Sequence, residues 1–156
     1  MVVESGLKWG KVAIFMFMGE YHNNIDEKGR ITIPAKFRQP LGYEFIITRG
    51  LDNCLFVYGK EEWADIINKY KSLPNTKDAR KFMRVFLSGA IECTVDKQGR
   101  TNLSTPLIEY AKLNKECVII GVSDHLEIWD NKTWQEFMAD SSDISEIADS
   151  LFASNI

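Results

Sequence analysis

The sequence predicts an α+β fold: a β-barrel core shared by two tandem half-repeats around a pseudo-twofold axis, with helices at the periphery. Three observations lead there. The chain superposes on itself; each copy holds short runs rich in β-branched and aromatic residues between helical segments; and its 156 residues, 45% hydrophobic and 26% charged, have the balance of a globular domain.

The repeat organises everything else. A shift of 70 places Gly19 on Gly89, Asp26 on Asp96, Gly29 on Gly99 and Arg30 on Arg100, with Ile25 over Val95. After one inserted residue, Gly50 matches Gly121, Leu55 matches Leu126, Val57 matches Ile128, Tyr58 matches Trp129 and Trp63 matches Trp134. These are turn glycines, apolar positions and one charged loop, the places where structure constrains sequence. The copies run over 18–73 and 89–139, joined by a basic helix at 74–88 and followed by an acidic helix at 140–156. Residues 1–17 have no counterpart in the second copy and are expected to be an N-terminal extension, with Met1–Phe15 flexible or loosely packed and arising from an upstream start codon.

Within each copy a polar strand comes first, Glu20–Ile25 or Ile91–Val95, and enters an Asp-x-x-Gly-Arg loop. A short strand leaves it, Arg30–Ile33 or Arg100–Leu103. A helix begins near Pro34 in one copy and near Pro106 in the other, where Ser104 and Thr105 are N-cap candidates. Two β-branched and aromatic strands follow, Glu44–Thr48 with Leu55–Tyr58 and Glu116–Ile120 with Leu126–Trp129. A helix carrying Trp63 or Trp134 closes each copy. Some fifty residues bury too little apolar surface to fold alone, so each half is expected to complete the other.

The linking helix, Thr76–Leu87, sets Lys77, Arg80, Lys81 and Arg84 on one side and Phe82, Val85 and Phe86 on the other. This reads as a solvated basic face in preference to a DNA contact. In the tail, Ser141 or Ser142 is a candidate N-cap, and Ile144, Ile147, Ala148 and Leu151 form one helical stripe suited either to this subunit or to a neighbour.

Net charge is −3, which by itself argues nothing for nucleic acid. Between Gln135 and Ile156, however, lie Glu136, Asp140, Asp143, Glu146 and Asp149 with no Lys or Arg, so the rest of the chain is weakly positive. Cys54, Cys93 and Cys117 are odd in number and widely spaced, fitting buried thiols in a reducing compartment and neither a disulfide framework nor a metal site. The apolar run Val12–Met18 after Lys8 and Lys11 is short for a secretory signal, lacks a cleavage site and cannot span a bilayer, which points to a cytoplasmic protein. No P-loop, H-E-x-x-H or G-x-S-x-G is present, and His22 and His125 are not repeat-equivalent. No catalytic residue, metal site, cofactor, membrane partner or small-molecule substrate is expected.

The candidate functional residues lie in Asp26-Glu27-Lys28-Gly29-Arg30 and Asp96-Lys97-Gln98-Gly99-Arg100. Hairpin chemistry explains the aspartates, whose carboxylates accept nearby backbone N–H groups, and the glycines, which adopt the left-handed conformation of a bulged turn. It does not explain the arginines. Either each pairs with the aspartate four residues earlier and does no more, or that aspartate orients a guanidinium whose fork matches guanine O6 and N7.

The duplicated Asp-x-x-x-Arg signature, the opening Gly19-Glu20-Tyr21-His22-Asn23-Asn24-Ile25-Asp26 and the stretch Gly29-Arg30-Ile31-Thr32-Ile33-Pro34-Ala35-Lys36 resemble the MraZ family of bacterial transcriptional regulators, related to AbrB-like swapped-hairpin DNA binders. The resemblance covers the chain from Met16 or Met18 onward. It implies that the barrel is of the double-split, swapped-hairpin type. It further implies a ring-shaped homo-oligomer, often an octamer, in the cytoplasm and on the nucleoid. Such a ring would bind double-stranded DNA at short G-rich direct repeats upstream of the division and cell-wall gene cluster, including its own promoter. Arg30 and Arg100 would then be the principal DNA contacts, Asp26, Gly29, Asp96 and Gly99 would shape and orient the loops, and Lys28 and Lys97, at different loop positions, would be phosphate contacts. The rival reading is an oligomeric interaction or assembly platform without specific DNA readout.

Overall fold

The computed structural model describes residues 7–9, 12–140 and 143–153, with 7–9 and 12–14 described by backbone alone. Those two short segments, β1 (Leu7–Trp9) and β2 (Val12–Ile14), pair antiparallel. The rest of the expected Met1–Phe15 extension lies outside the described residues, except Phe15, whose ring packs edge-on against Phe17 at 5.0 Å.

The first copy contributes β3 (Phe17–Asn24), β4 (Arg30–Thr32), α1 (Ala35–Leu41), β5 (Glu44–Arg49), β6 (Leu55–Gly59), α2 (Lys60–Lys71) and α3 (Lys77–Ser88). The second contributes β7 (Ile91–Thr94), β8 (Arg100–Asn102), α4 (Thr105–Tyr110), β9 (Glu116–Ser123), β10 (His125–Asp130), α5 (Asn131–Asp140) and α6 (Ile144–Phe152). The two lists have the same order. The linking helix α3 and the tail helix α6 therefore hold equivalent places, where the sequence suggested an insert and a separate tail.

Six strands form one antiparallel sheet in the order β3-β9-β10-β6-β5-β7, and β4 pairs with β8 in a separate two-stranded ribbon. The fold is α+β, as expected. The sheet is open rather than closed into a barrel: β3 and β7 are its edges, because the chain leaves each edge at an Asp-x-x-Gly-Arg loop and crosses to the ribbon.

Register shows how the copies interlock. At the sheet centre Leu126 pairs with Val57 and Ile128 with Leu55, which are mates on exchange of the repeat-equivalent residues. In the ribbon Arg30 pairs with Asn102, Ile31 with Thr101 and Thr32 with Arg100, again symmetric. The first strand of each copy pairs with the other copy, β3 on β9 and β7 on β5. The exchange is unequal, since eight residue pairs join β3 to β9 and four join β5 to β7.

Alternation along the strands divides the interior in two. Leu55, Val57, Leu126 and Ile128 face one cluster with Ile31, Ile33, Phe37, Leu103 and Leu107, beneath the ribbon, α1 and α4. Phe56, Tyr58 and Trp129 face the other, with Trp134 and Phe86, covered by α2, α3 and α5. Cys54, Cys93 and Cys117 are buried and unbridged. Burial pushes the Cys93 thiol up to about 11 and Cys117 up to about 12.

The helix starts follow from local chemistry. Ser104 Oγ accepts from Leu107 N at 3.4 Å and Thr76 Oγ1 from Ala79 N at 3.1 Å. Ser141 and Ser142 lie outside the described residues, and Asp143 stands before the first residue of α6 without a side-chain cap. The stripe of α6 does not enter the core: Ile144, Ile147, Leu151 and Phe152 are exposed.

Candidate nucleic-acid interface

Each Asp-x-x-Gly-Arg segment folds into the same bulged turn. In the first, Gly29 N donates to Asp26 O at 3.0 Å and Asp26 N to Arg30 O at 2.9 Å; in the second, Gly99 N donates to Asp96 O at 2.9 Å and Asp96 N to Arg100 O at 2.9 Å. Gly29 and Gly99 have φ of 78° and 79°, the left-handed region that a side chain would strain.

The aspartates work from inside the turns. Asp26 Oδ1 accepts from the backbone N–H groups of Lys28 and Arg30, both at 2.9 Å, while Oδ2 accepts from Arg30 Nε at 2.8 Å. Asp96 repeats this with Gln98 N, Arg100 N and Arg100 Nε, all at 2.9 Å. The backbone N–H of the arginine, with the guanidinium and a second N–H adding to it, holds each carboxyl below the usual carboxylate value of 3.8.

This clamp uses only Nε of each guanidinium. The Nη1 and Nη2 edge of Arg30, and that of Arg100, has no protein partner among the described residues. The side chains are 27% and 29% exposed. Each is thus held by its base and open at its tip.

The ribbon brings together what the sequence left on two separate loops. Ile31 and Thr101, opposite each other, are 0% and 2% exposed and point into the core. By alternation Arg30, Thr32, Arg100 and Asn102 share the outer face. Arg30 and Arg100 are diagonal neighbours there, with Cα atoms about 7–8 Å apart by ribbon geometry.

The loops are braced reciprocally. Leu103 N donates to Gly29 O at 2.8 Å and Ile33 N to Gly99 O at 2.9 Å, so each turn is tied to the other copy's strand exit. Below the first turn lies Ile108, whose Cδ1 would be 3.3 Å from a Cβ at Gly29. Below the second lies Arg38, whose Cζ would be 2.2 Å from a Cβ at Gly99 and whose Nε donates to Ile33 O at 2.7 Å. Arg38 is a cation packed against the second turn that the sequence did not single out. Its signal was the repeat shift of 70, which sets it opposite Ile108, a charge against an apolar residue.

Lys28 and Lys97 are both exposed on their loops, at the second residue after Asp26 and the first after Asp96. The basic side of α3 is elsewhere: its Phe82 and Phe86 pack on the sheet face opposite the ribbon. Lys77, Arg80, Lys81 and Arg84 therefore do not extend the arginine face. Among the described residues no group of three or more His, Cys, Asp or Glu could hold a metal ion, and no helix is long and apolar enough to cross a membrane.

Known proteins share this arrangement of sequence. The family model described as "MraZ protein, putative antitoxin-like" matches twice, over residues 16–85 and 86–153. A protein named Transcriptional regulator MraZ, from Moorella thermoacetica, is 56% identical over 129 residues, covering 82% of this chain and 90% of that relative. Matched in both halves by one family model, and more than half identical to a named member over most of both lengths, the chain belongs to the MraZ family.

Proposed function

We propose that this protein is a sequence-specific DNA-binding transcriptional regulator, not an enzyme, and that it reads the major groove with the outer face of the Arg30–Arg100 ribbon. The observation that carries this is the pair of guanidinium groups, each fixed through Nε by its own aspartate with the Nη edge unpartnered. The major groove is about 12 Å wide and admits a two-stranded ribbon, and the arginine fork matches guanine O6 and N7. Fixing the side chains beforehand lowers the entropy lost on binding. An Asp–Arg pair serving only the turn would not require both arginines on one solvent face.

The target is a set of G-rich direct repeats upstream of the division and cell-wall gene cluster, including the gene's own promoter. Lys28 and Lys97 contact flanking phosphates. A ring-shaped homo-oligomer, an octamer, presents several ribbons to successive repeats, and avidity offsets the weak positive charge of one subunit. The interlocked copies are related to the double-split, swapped-hairpin type, with the ribbon packed against the open sheet. The protein works in the cytoplasm, on the nucleoid.

The test is binding of the full chain to a duplex of its own upstream region across a salt series. Arg30→Ala with Arg100→Ala is expected to abolish specific binding while leaving the circular dichroism spectrum and oligomer size unchanged. Lysine at both positions keeps the charge and loses the fork, so specificity falls more than nonspecific affinity. Wild-type binding by the double alanine variant would falsify the site.

A further inference from the structure

The outer face of the ribbon holds four side chains, and the arginines are only two of them. Asn102 lies directly across from Arg30, and Thr32 directly across from Arg100. Asn102 is exposed, and neither its amide nor the Thr32 hydroxyl has a protein partner among the described residues. Asn23, by contrast, donates from Nδ2 to Thr32 O at 2.7 Å, and the Asn114 amide donates to Lys112 O and Asp130 Oδ1. Asparagine is depleted in strands, and Asn102 sits in one without a capping, turn or packing role. A residue that goes against local preference with no structural return marks a functional position.

We infer that Asn102 is a further base-reading residue, taking the N6/N7 edge of an adenine beside the base read by Arg30, and that its contrast with Thr32 makes the ribbon read its DNA element in one orientation. This rests on the DNA-reading role proposed above for the ribbon. An asparagine amide presents one donor and one acceptor side by side, matching the adenine acceptor N7 and donor N6. Directly opposed residues in a ribbon have Cβ atoms about 4.5–5.5 Å apart, and base pairs rise about 3.4 Å per step, so Arg30 and Asn102 reach neighbouring bases.

Orientation follows from symmetry. Exchanging the two copies maps Arg30 onto Arg100 and Asn102 onto Thr32. The arginines alone would fit a site equally well when the ribbon is turned by half a revolution about the pseudo-twofold axis that passes across it at the Ile31–Thr101 pair. Asn102 removes that degeneracy, because threonine offers a single hydroxyl and a methyl group and accepts several bases. A directional DNA element is then read with a defined polarity.

The experiment uses the full chain and a pool of duplexes of randomised sequence. Preferred duplexes are selected with wild-type protein, then measured by fluorescence anisotropy with each base pair changed in turn. Asn102→Ala and Asn102→Thr are expected to lose about tenfold or more of the preference at one base position. Affinity for random-sequence duplex and the slope against salt stay unchanged, since no charge is removed. The exchange variant Thr32→Asn with Asn102→Thr moves the lost preference to the position related by the half-turn. If Arg30→Ala with Arg100→Ala loses specific binding while Asn102→Ala keeps every base preference of wild type, the role of Asn102 is overturned and the DNA-reading role stands. If the double arginine variant binds as wild type does, both are overturned. If Asn102→Ala also loses affinity for random-sequence duplex, Asn102 supports the structure and does not read bases.

Discussion

At Asp26 and Asp96 one carboxylate closes a turn and aims a guanidinium, and both tasks need the ionised form. Protonation would remove acceptor capacity from oxygens that face N–H donors. Each folded pKa therefore lies below the ordinary 3.8, with the backbone N–H of the arginine as the main cause. For a depressed carboxyl the stabilisation is present above the unfolded value and is lost as pH falls through the folded one. The clamp is expected to stay intact from neutral pH down to the ordinary carboxyl value of 3.8 and to open only in stronger acid. Carboxyl carbon NMR titration of Asp26 and Asp96 checks this, and a midpoint at or above 3.8 for either would contradict the clamp.

Glycines show how far a letter in the sequence reaches. Gly50 and Gly121 align in the repeat but exclude a Cβ for different reasons. At Gly50 it would meet the Phe56 ring at 2.5 Å, whereas at Gly121 it would meet Met18 N at 2.3 Å, where β3 crosses close to β9. The sequence says that a side chain is unwelcome. Only the neighbours say why.

Elements were the most legible level, because helix starts, turns and strand alternation are set within a few residues. Thr76 illustrates the start: its hydroxyl accepts from Ala79 N, and Lys77–Ser88 follows, one residue offset from the expected Thr76–Leu87. The far end is secured by tertiary contact. Arg49 Nη1 donates to Val85 O at 2.9 Å, and the buried Thr48 hydroxyl donates to Phe86 O, occupying carbonyls the helix leaves free. Thr76→Ala is expected to cost about 1 kcal/mol in urea unfolding with an unchanged m-value, the usual cost of a lost N-cap. A loss below a few tenths would mean that tertiary contacts, not the cap, set this helix start. Strand lengths were less legible: β3 runs three residues earlier than expected, from Phe17, because β9 provides partners along its whole length.

At the scale of the whole molecule the two copies are inseparable. Each first strand pairs with the other copy, and the glycine carbonyl of each Asp-x-x-Gly-Arg turn accepts from a backbone N–H at the other copy's strand exit. A chain cut into 16–85 and 86–153 is expected to give fragments that, as monomers, show no cooperative thermal transition, and that regain one on mixing. Cooperative melting of monomeric 16–85, followed by circular dichroism with the mass checked by sedimentation, would show that the exchange is not needed for folding.

What the sequence determined by itself was local and periodic: the duplication, the element order, the turn that needs aspartate and glycine, and the arginine that the turn does not need. The tertiary structure alone decided that the sheet stays open, that α6 leaves its apolar stripe exposed, that Arg38 lies beneath the second turn, and that Arg30 and Arg100 share one face with Thr32 and Asn102. The division has a physical cause. Turn and cap chemistry is satisfied within about five residues, whereas the meeting of strands some 70 residues apart depends on which apolar faces bury each other, and no local pattern encodes that choice.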